Sequence, residues 1–429
     1  MKQKTFFEAD YLTAPVPLEA RHSLLSVTLV RVGMITALSQ FMLGATLGYS
    51  MTFAQAMLAT FLGSVILQFI SLGLGIAGVR EGLSTSLLAR WCGFGRMGSV
   101  LFGMAIVISS LGWFGVQNAV FAKSLEYALG GRLGFVGCAT LSGAVLTVLV
   151  AFGFRALSWT AKCAVPLFFL VIVWIFVTLL QKYHMIDIMT SSLSAGAPMT
   201  LSAAVTAVTG GFISAAIITP DISRYCQNQQ HVFYMTLTTI IVGEIIVCGL
   251  AAVTAHALGT ADVVTIMIQT SGWIGLLCVI LAAIKVNDVI LYSASLALAN
   301  ILEGAIGKKC PRLWLTMISG VIGTMLSIMG ILDKFTDFLI MLGVVFPPIA
   351  GVMLVDYYIL RTSRSVLEAA RQAQALPARA SVPLIGWHAI AACVVGALVG
   401  ITVERGIPSL NSLLVASLCY WLTHKICKK

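Results

Sequence analysis

Charged side chains are scarce in this chain of 429 residues. Asp, Glu, Lys and Arg together make up 10% of it, whereas hydrophobic residues make up 59%. Soluble globular domains carry roughly 25% charged residues. The scarcity of charge excludes an ordinary soluble protein, and the long apolar runs indicate helices that cross a membrane.

The chain also lacks the common patterns of enzymes and metal sites. Its 10 cysteines are scattered without a CxxC pair, which argues against a disulfide framework or a zinc site. HExxH and GxSxG are absent from the sequence. We therefore expect no enzymatic activity, no cofactor and no bound metal. The polar N-terminus has no short apolar stretch with a cleavage site, so no signal peptide is predicted.

Apolar runs long enough to cross a bilayer, which takes about 20 residues, recur along the whole chain. They predict an all-α membrane protein with twelve transmembrane helices and no room for a soluble domain. The predicted spans are residues 24–48, 52–78, 98–128, 134–153, 158–181, 199–220, 232–258, 271–301, 312–331, 334–360, 383–402 and 408–426.

The distribution of positive charge predicts the orientation. With a cytoplasmic N-terminus, most of the 26 Lys and Arg residues fall on the cytoplasmic side, and we count Arg31 among them. Basic residues are concentrated in cytoplasmic loops. We predict a multi-pass protein of the plasma (cytoplasmic) membrane with both termini cytoplasmic. The formal net charge of +10 then reflects topology, and no nucleic-acid partner is expected.

Two predicted spans contain stretches that favour a break in the helix. Span 1 contains ALSQFMLGATLG, with Ser39, Gln40, Gly44 and Gly48. Span 6 contains VTGGFISAAIITPD, with Gly210, Gly211 and Pro220. Glycine permits local unwinding where a cavity supplies hydrogen-bond partners. Paired breaks in corresponding spans of two repeats are typical of a transporter's binding site near the midplane. The alternative is that these glycines only allow helices to pack closely.

Ionisable residues lie inside two apolar runs. Lys285, Asn287 and Asp288 interrupt LAAIKVNDVILYSASLALAN in span 8, and Glu244 lies within span 7. A charge at the bilayer centre costs about 2.5–3.5 kcal/mol, so these residues indicate a polar cavity. Lys285 and Asp288 can alternatively form a structural ion pair, and Glu244 is either a proton carrier or a neutral carboxyl bonded across helices.

Span 3 offers groups that suit a flat heterocycle. Trp113 and Gln117 are four residues apart and share a helix face, with Ser110 adding polarity. The indole can stack on a ring while the amide donates and accepts hydrogen bonds. Phe212, after the glycine pair of span 6, can close over the same ligand. Packing within the bundle is the alternative explanation for both aromatic residues.

Polar residues at the cytoplasmic ends of spans 2 and 6 are candidate gate residues. Glu81, Arg90, Asp221 and Arg224 can form contacts that break and form again as a cavity changes sides. Topology anchoring and helix capping explain them equally well. Between spans 10 and 11, a polar linker contains a possible surface helix at Val366–Ala375.

Five motifs together resemble the purine–cytosine permease branch of the nucleobase–cation symporter family. They are GLSTSLLAR-x-x-GFG, GWFGV, GFISA followed by D-x-x-R, ND-x-x-LY-x-x-x-L-x-x-AN, and PPIAGVMLVDYYILR. The resemblance implies a leucine-transporter-like fold of two inverted five-helix repeats plus two extra helices. The implied segments are a tail (1–23), the repeats (24–181 and 199–360), a linker (361–382), and the last two spans with the C-terminal tail (383–429).

The resemblance also implies roles for particular residues. A base is held between Trp113 and Phe212, while Gln117 and Asn287 bind its edge. Gln117 fits the hydantoin-type pattern better than the cytosine-type pattern, which usually has glycine there. The remaining residues assigned to the substrate site are Ser110, Gly211, Ser39 and Gln40.

The main departure from the family pattern is Lys285–Val286, which stands where relatives have two threonines that help to bind sodium. Valine offers no oxygen, and lysine brings its own positive charge. We expect Lys285 to occupy the sodium position and the coupling ion to be a proton, exchanged at Lys285, Glu244 or Asp288.

The predicted function is secondary active import of a small planar heterocycle. The preferred substrate is cytosine or a related nucleobase. Hydroxymethylpyrimidine and allantoin or hydantoin are alternatives. A facilitator or channel, or an amino-acid permease of the same fold, are alternatives from other classes.

Overall fold

The computed structural model describes residues 15–35, 37–151, 156–190, 195–306, 310–377, 382–403 and 405–427. Within these ranges the secondary structure is helical and contains no strand. The all-α class predicted from the composition is therefore confirmed for the described part of the chain.

Nineteen α-helices follow one another in the described ranges. They are α1 (Leu24–Ile35), α2 (Leu38–Ser50), α3 (Phe53–Glu81), α4 (Thr85–Ala89), α5 (Gly95–Ala128), α6 (Gly134–Ala151), α7 (Ala156–Lys182), α8 (Met185–Thr190), α9 (Leu201–Ile217), α10 (Thr219–Ser223), α11 (Gln229–Thr236), α12 (Glu244–Leu258), α13 (Val263–Ile306), α14 (Arg312–Ile328), α15 (Phe335–Val345), α16 (Pro347–Leu354), α17 (Arg364–Gln372), α18 (Trp387–Thr402) and α19 (Pro408–Cys427). Three π-helical segments join some of them, at Arg90–Phe94, Leu237–Gly243 and Val355–Leu360.

Seven helices of the described residues are long and apolar enough to cross a membrane, and the bent pair α1–α2 makes an eighth. Three shorter apolar helices, α9, α14 and α18, lie at predicted spans as well. Every predicted span coincides with one of the observed helices or a consecutive set of them. The protein is thus a multi-pass membrane protein, while the count of twelve spans stays a prediction.

Span 1 is broken where its sequence turns small and polar. α1 and α2 meet at an angle of 53°, immediately before Ser39 and Gln40. Because α1 ends here, its last carbonyl groups have no partner further along the same helix. The predicted interruption of span 1 is therefore present in the structure.

The predicted break of span 6 at its glycine pair is wrong. α9 is helical through Gly210 and Gly211 and ends at Ile217, and the interruption lies at Ile218. Pro220 explains the position, since its ring would clash with the carbonyl of Ala216 in a continuous helix. The glycines instead serve packing, because a Cβ on Gly210 would overlap the backbone of Leu339 in α15.

The two adjacent glycines should respond differently to alanine. Gly210→Ala pushes a methyl group into the backbone of α15, so we expect it to destabilise the protein by about 1–3 kcal/mol. Gly211→Ala meets the flexible side chain of Leu43 at 2.9 Å and should cost less. Thermal unfolding of both variants in detergent tests this. Equal melting temperatures would contradict the assigned contact.

The helices pack into two main groups. In one, α2 packs on α12 and α3 packs on α9; in the other, α5, α6, α13 and α14 pack against one another. α15 lies against α9, and α18 and α19 pack on each other and on α16. The predicted linker helix is present as α17, with Leu367 and Ala370 buried. The residues predicted to bind substrate come from helices of both groups.

Candidate functional site

Three buried side-chain amides have atoms without a hydrogen-bond partner among the described residues. Gln117 and Asn287 are 0% exposed, and neither their amide nitrogens nor their oxygens have a partner among the described residues. Gln40 is 2% exposed and donates from Nε2 to the carbonyl of Gly211 at 3.1 Å, while its Oε1 is without a described partner. A buried polar group left unpaired costs about 1–3 kcal/mol. Such groups indicate a site that a polar ligand completes.

Two of these amides lie on helices that pack against each other. Asn287 lies on α13 and Gln117 on α5, which pack together along much of their length. The residues three or four positions before and after each amide belong to one buried cluster: Phe114, Phe121, Ala283 and Leu291. Residues three and four apart share a helix face. Gln117 and Asn287 therefore point into the α5–α13 interface from opposite sides.

The two predicted aromatic residues lie on different helices, Trp113 on α5 and Phe212 on α9. Trp113 is half-buried and meets Phe338 and Phe335 of α15 edge to face, with ring centroids 5.3 and 6.4 Å apart. Phe212 is buried, and the described ring contacts do not join it to Trp113. The two phenylalanines of α15 were not predicted, because phenylalanine at the start of an apolar span does not differ in sequence from a packing residue.

The serines near Trp113 are arranged differently from the prediction. Ser109, and not the predicted Ser110, links α5 to α9 through a 3.0 Å hydrogen bond with Ser214. Ser110 is half-buried. Ser39 is buried beside Gln40 on α2, and Gly211 contributes its carbonyl to that glutamine. α2, α5 and α9 are thus connected around the candidate site by hydrogen bonds.

Asn118, next to Gln117, has a structural role. Its Nδ2 donates to the carbonyl of Ala139 at 3.1 Å and to Ser327 at 3.2 Å, and its Oδ1 accepts from Ser142 at 2.7 Å. It therefore ties α5 to α6 and α14, while its neighbour has no described partner.

This pair of neighbours allows a matched test. Asn118→Ala leaves three buried groups without their hydrogen bonds to this side chain, so we expect it to lower the free energy of unfolding by about 1–3 kcal/mol. Gln117→Ala removes an unpaired amide and should leave stability unchanged or raised, while weakening substrate binding. Thermal unfolding and ligand binding of both variants are the measurements. A larger loss of stability in Gln117→Ala would contradict the distinction.

Lys285 reaches from α13 to the break in span 1. Its Nζ donates to the carbonyl of Gly33 at 2.8 Å. Gly33 lies in the last turn of α1, where carbonyls lack partners within the helix. A sodium ion of the kind implied by the family resemblance does not fit these residues, since Val286 has no oxygen and an ammonium group already lies against the Gly33 carbonyl.

The Asp288 carboxyl is directed toward Arg312 of α14 and not toward the amides Gln117 and Gln40. The cation that acts on its carboxyl is Arg312, whose guanidinium stacks 3.7 Å from the ring centroid of Tyr292 and bonds Ser295 at 3.4 Å. Asn287 and Asp288 therefore take different directions, as their adjacency on a helix requires.

Arg31, which the charge count placed with the cytoplasmic basic residues, does not lie at the surface of the bundle. Arg31 is 0% exposed inside the bundle, where its Nε donates to Thr239 at 3.2 Å and its Nη2 to Ser71 at 3.3 Å. Its guanidinium lies 5.9 Å from the ring centroid of Phe212. The signal was available, since Arg31 falls inside the predicted span 24–48.

Glu244 is also fully buried. Its Oε2 accepts a hydrogen bond from Ser64 on α3 at 2.5 Å, and its Oε1 has no partner within the described ranges. The predicted bonding of this carboxyl across helices is present. Its role in proton transfer stays a prediction.

The candidate gate residues belong to two separate clusters. Glu81 accepts from the hydroxyl of Tyr357 at 2.6 Å, with Arg371 of α17 at 3.7 Å and Arg80 at 3.8 Å. Tyr357, Arg371 and Arg80 were not predicted as gate residues. Arg90 lies in the π-helical turn that follows α4.

The second cluster caps a helix. Asp221 accepts from the backbone and hydroxyl of Thr85, at 3.1 and 3.3 Å, at the first turn of α4. Arg224 donates to the backbone carbonyl of Asp221 at 3.3 Å. Burial raises the pKa of the Asp221 carboxyl, against the opposing effects of Arg224 and of the bonds from Thr85. The geometry favours capping for Asp221.

A cavity of about 270 Å³ is lined by residues of α2 and α5 and by the first residues of α13 and α15. Lys123 and Asp262, paired at 3.1 Å, line it, and so does Phe335, which contacts Trp113. Burial alone would raise the pKa of Asp262, but hydrogen bonds from Thr265 and Lys123 and the charge of Lys123 outweigh burial, so its pKa is lowered. This cavity was not predicted from the sequence.

A multi-pass bundle with a broken first span and unpaired buried amides at the α5–α13 interface is the architecture expected of a transporter. The sequence model of the family described as "Permease for cytosine/purines, uracil, thiamine, allantoin" matches residues 15–422, and the chain belongs to this family. Because the family is one of permeases, the expectation of a transporter and not an enzyme is confirmed.

Similar proteins agree with this assignment. The chain is 29% identical to the cytosine permeases of Escherichia coli K12 and O157:H7 over 421 residues, which cover 97% of this chain and 94% of theirs. The inward-facing structure of Mhp1 superposes with a TM-score of 0.80 at 20% identity, covering 96% of this chain and 93% of Mhp1. Mhp1 closed with bromovinylhydantoin bound gives 0.72 at 20% identity, covering 97% and 94%. The leucine-transporter-like fold is confirmed, while the predicted repeat boundaries stay a prediction.

Proposed function

We propose that this protein is a secondary active transporter that imports a small planar heterocycle by alternating access, with cytosine or a related nucleobase as the preferred substrate. It acts in the plasma membrane with both termini in the cytoplasm. Transport does not require sodium, and a proton is the coupling ion. The cytoplasmic bias of Lys and Arg supports this orientation even with Arg31 removed from the count.

The observation that carries the proposal is the set of buried amides without partners. Gln117 and Asn287 together present two donors and two acceptors into one interface, next to the indole of Trp113 on the same face of α5 as Gln117. The edge of a nucleobase carries alternating donors and acceptors, and its ring stacks on an aromatic face. A planar, amide-containing heterocycle satisfies both requirements at once.

A hydantoin or allantoin is the second candidate, favoured by Gln117. Relatives of the cytosine type usually have glycine at this position, whereas a glutamine fits the hydantoin type. Mhp1 binds bromovinylhydantoin, although the likeness to it establishes the fold alone. Both candidate classes are flat rings with adjacent N–H and C=O groups, so the site as described suits either.

Lys285 supports proton coupling. Its ammonium group donates to the carbonyl of Gly33 at the break of span 1, across the contact between α13 and the first span. A lysine in an apolar surrounding exchanges its proton more readily than one in water. Loss of that proton removes the charge that strengthens the bond to the Gly33 carbonyl, which links the charge of Lys285 to the position of span 1.

The decisive experiment is a binding panel on the purified protein. Thermal shift with cytosine, uracil, hydroxymethylpyrimidine, allantoin, a 5-substituted hydantoin and leucine should show stabilisation by at least one planar ring and none by leucine. A ligand at about 100 times its Kd stabilises by about 2.7 kcal/mol. The stabilisation should be the same in sodium and in choline buffer. Stabilisation by leucine alone would favour the amino-acid permease instead.

Transport in proteoliposomes then separates a carrier from a channel. Uptake of the best ligand should saturate with concentration and exceed equilibrium when a pH gradient is imposed. A non-saturating, gradient-independent flux would contradict secondary active transport.

A further inference from the structure

A second charged group is buried beside Glu244. Arg31 of α1 is held by Thr239 and Ser71, and Glu244 of α12 is held by Ser64. In each charged side chain one atom has no partner in the described part of the chain: Nη1 of Arg31 and Oε1 of Glu244. Both residues are 0% exposed, so water does not supply the missing bonds from the surface.

Arg31 and Glu244 both bind hydroxyl groups of α3, at Ser71 and Ser64. Ser64 and Ser71 are two turns apart on the same face of α3, which separates them by about 10 Å along the axis. Thr239 lies inside the π-helical segment Leu237–Gly243, in which hydrogen bonds run from i to i+5, and Glu244 follows that segment directly. The π-helical spacing therefore places Thr239 and Glu244 about one turn apart on one side of span 7. Arg31 and Glu244 occupy neighbouring positions between α3 and span 7.

Arg31 and Glu244 are groups of opposite charge, yet the ion pairs found within the described residues do not include this one. An uncompensated buried charge is strongly unfavourable. Direct contact between Nη1 and Oε1 would satisfy both unpaired atoms together. The planar guanidinium can make that bond while keeping one of its present partners.

Movement of Arg31 affects the candidate site at two points. Arg31 is two residues before Gly33, whose carbonyl accepts the bond from Lys285. Its guanidinium also lies 5.9 Å from the ring centroid of Phe212. α1 thus joins the carboxyl of Glu244, the ammonium of Lys285 and the aromatic ring predicted to cover the substrate.

We propose that Arg31 is a positioning residue that couples the protonation of Glu244 to the position of α1. When Glu244 is ionised, Oε1 draws Nη1 of Arg31 into a direct ion pair and shifts α1 toward span 7. When Glu244 takes up a proton from one side of the membrane, the pair opens and Arg31 returns to Ser71 and Thr239. The same proton leaves to the other side when the pair forms again. The inference deepens the proposed function and rests on it.

The other titratable groups near the pair are few among the described residues. Cys248 lies one turn after Glu244 on α12 and donates to the carbonyl of Gln40 at 3.6 Å. Cys226 lies near Arg31, and Lys285 lies across the break from it. Two neutral thiols do not replace the carboxyl as a charge, so Arg31 responds to Glu244.

The test uses hydrogen exchange of the purified full chain without substrate. Protection of the α1 peptide, corrected against the α14 peptide, should rise at least about fivefold between about pH 5 and about pH 8, a typical size for coupling between sites. Arg31→Gln, Glu244→Gln and the double variant should each abolish this rise. Arg31→Lys should keep part of it, and Arg405→Gln, an exposed control, should keep all of it. A wild type without the rise, or a rise that survives in Glu244→Gln or Arg31→Gln, overturns the proposal.

Uptake of radiolabelled cytosine by the same variants separates this inference from the proposed function. Wild type should show a pH-dependent rate, and Arg31→Gln a rate that changes less with pH, since Lys285 still exchanges its proton. Absence of cytosine uptake in wild type, with the exchange pattern intact, counts against cytosine as substrate and leaves the Arg31–Glu244 coupling supported. Where Arg31→Gln does not fold, Glu244→Gln and Arg31→Lys decide the question by exchange alone.

Discussion

Trp113→Ala should abolish high-affinity binding of every planar ligand. Removal of an aromatic platform costs about 1–3 kcal/mol per stacked base, which is about a 5- to 150-fold rise in Kd. Phe338 and Phe335 meet the indole edge to face, and Trp113 is only half-buried, so the indole is not fully enclosed by the protein. Equilibrium binding of the best ligand from the panel is the measurement.

The matched control for that variant is Trp314→Ala. Trp314 is 65% exposed on α14, so its truncation removes as much indole without touching the candidate site. We expect Trp314→Ala to bind as wild type. An unchanged affinity of Trp113→Ala for all tested rings would reject stacking on this residue.

Lys285→Ala should abolish accumulation of substrate against its concentration gradient. Uptake by the wild type should be the same with and without sodium. The substitution deletes a charge-assisted bond to the Gly33 carbonyl, and such bonds contribute about 1.5–3 kcal/mol, or about 10- to 150-fold. With sodium replaced by choline and a pH gradient imposed, wild-type proteoliposomes should accumulate substrate and Lys285→Ala should not.

Lys334→Ala serves as the control, because Lys334 is exposed before α15 and has no part in the candidate site. Replacement of both Lys285 and Val286 by threonine restores two hydroxyl oxygens and should introduce stimulation by sodium. A strict sodium requirement in the wild type, or full accumulation by Lys285→Ala, would contradict proton coupling through this lysine.

The sequence predicts the fold well because bilayer length and apolar composition leave few solutions. The spans and the break in span 1 follow from residues whose cost in a membrane is large. The break in span 6 was misplaced by several residues, because glycine permits an interruption without requiring one. Pro220 requires it, and the packing of Gly210 against Leu339 appears only when α9 and α15 are placed together.

The candidate site is predicted less completely. Gln117 and Asn287 can be found from their position in apolar runs, and the structure leaves both without described partners. Arg31 was misassigned because a charge count by loops does not distinguish a residue at the surface from one a turn or two deeper. The phenylalanines of α15 and the link from Ser109 to Ser214 depend on contacts between distant segments, which one sequence does not specify.

The π-helical segment before Glu244 has a consequence for evolution of this span. A π-helical segment holds about one residue more than the α-helix it replaces, so deletion of one residue from Leu237–Gly243 would restore regular winding and leave Glu244 facing Ser64. A homologue with an unbroken α-helical seventh span would then align only with a gap inside that span. Loss of a single codon there can remove the π-helical segment without moving the acidic group out of the protein interior.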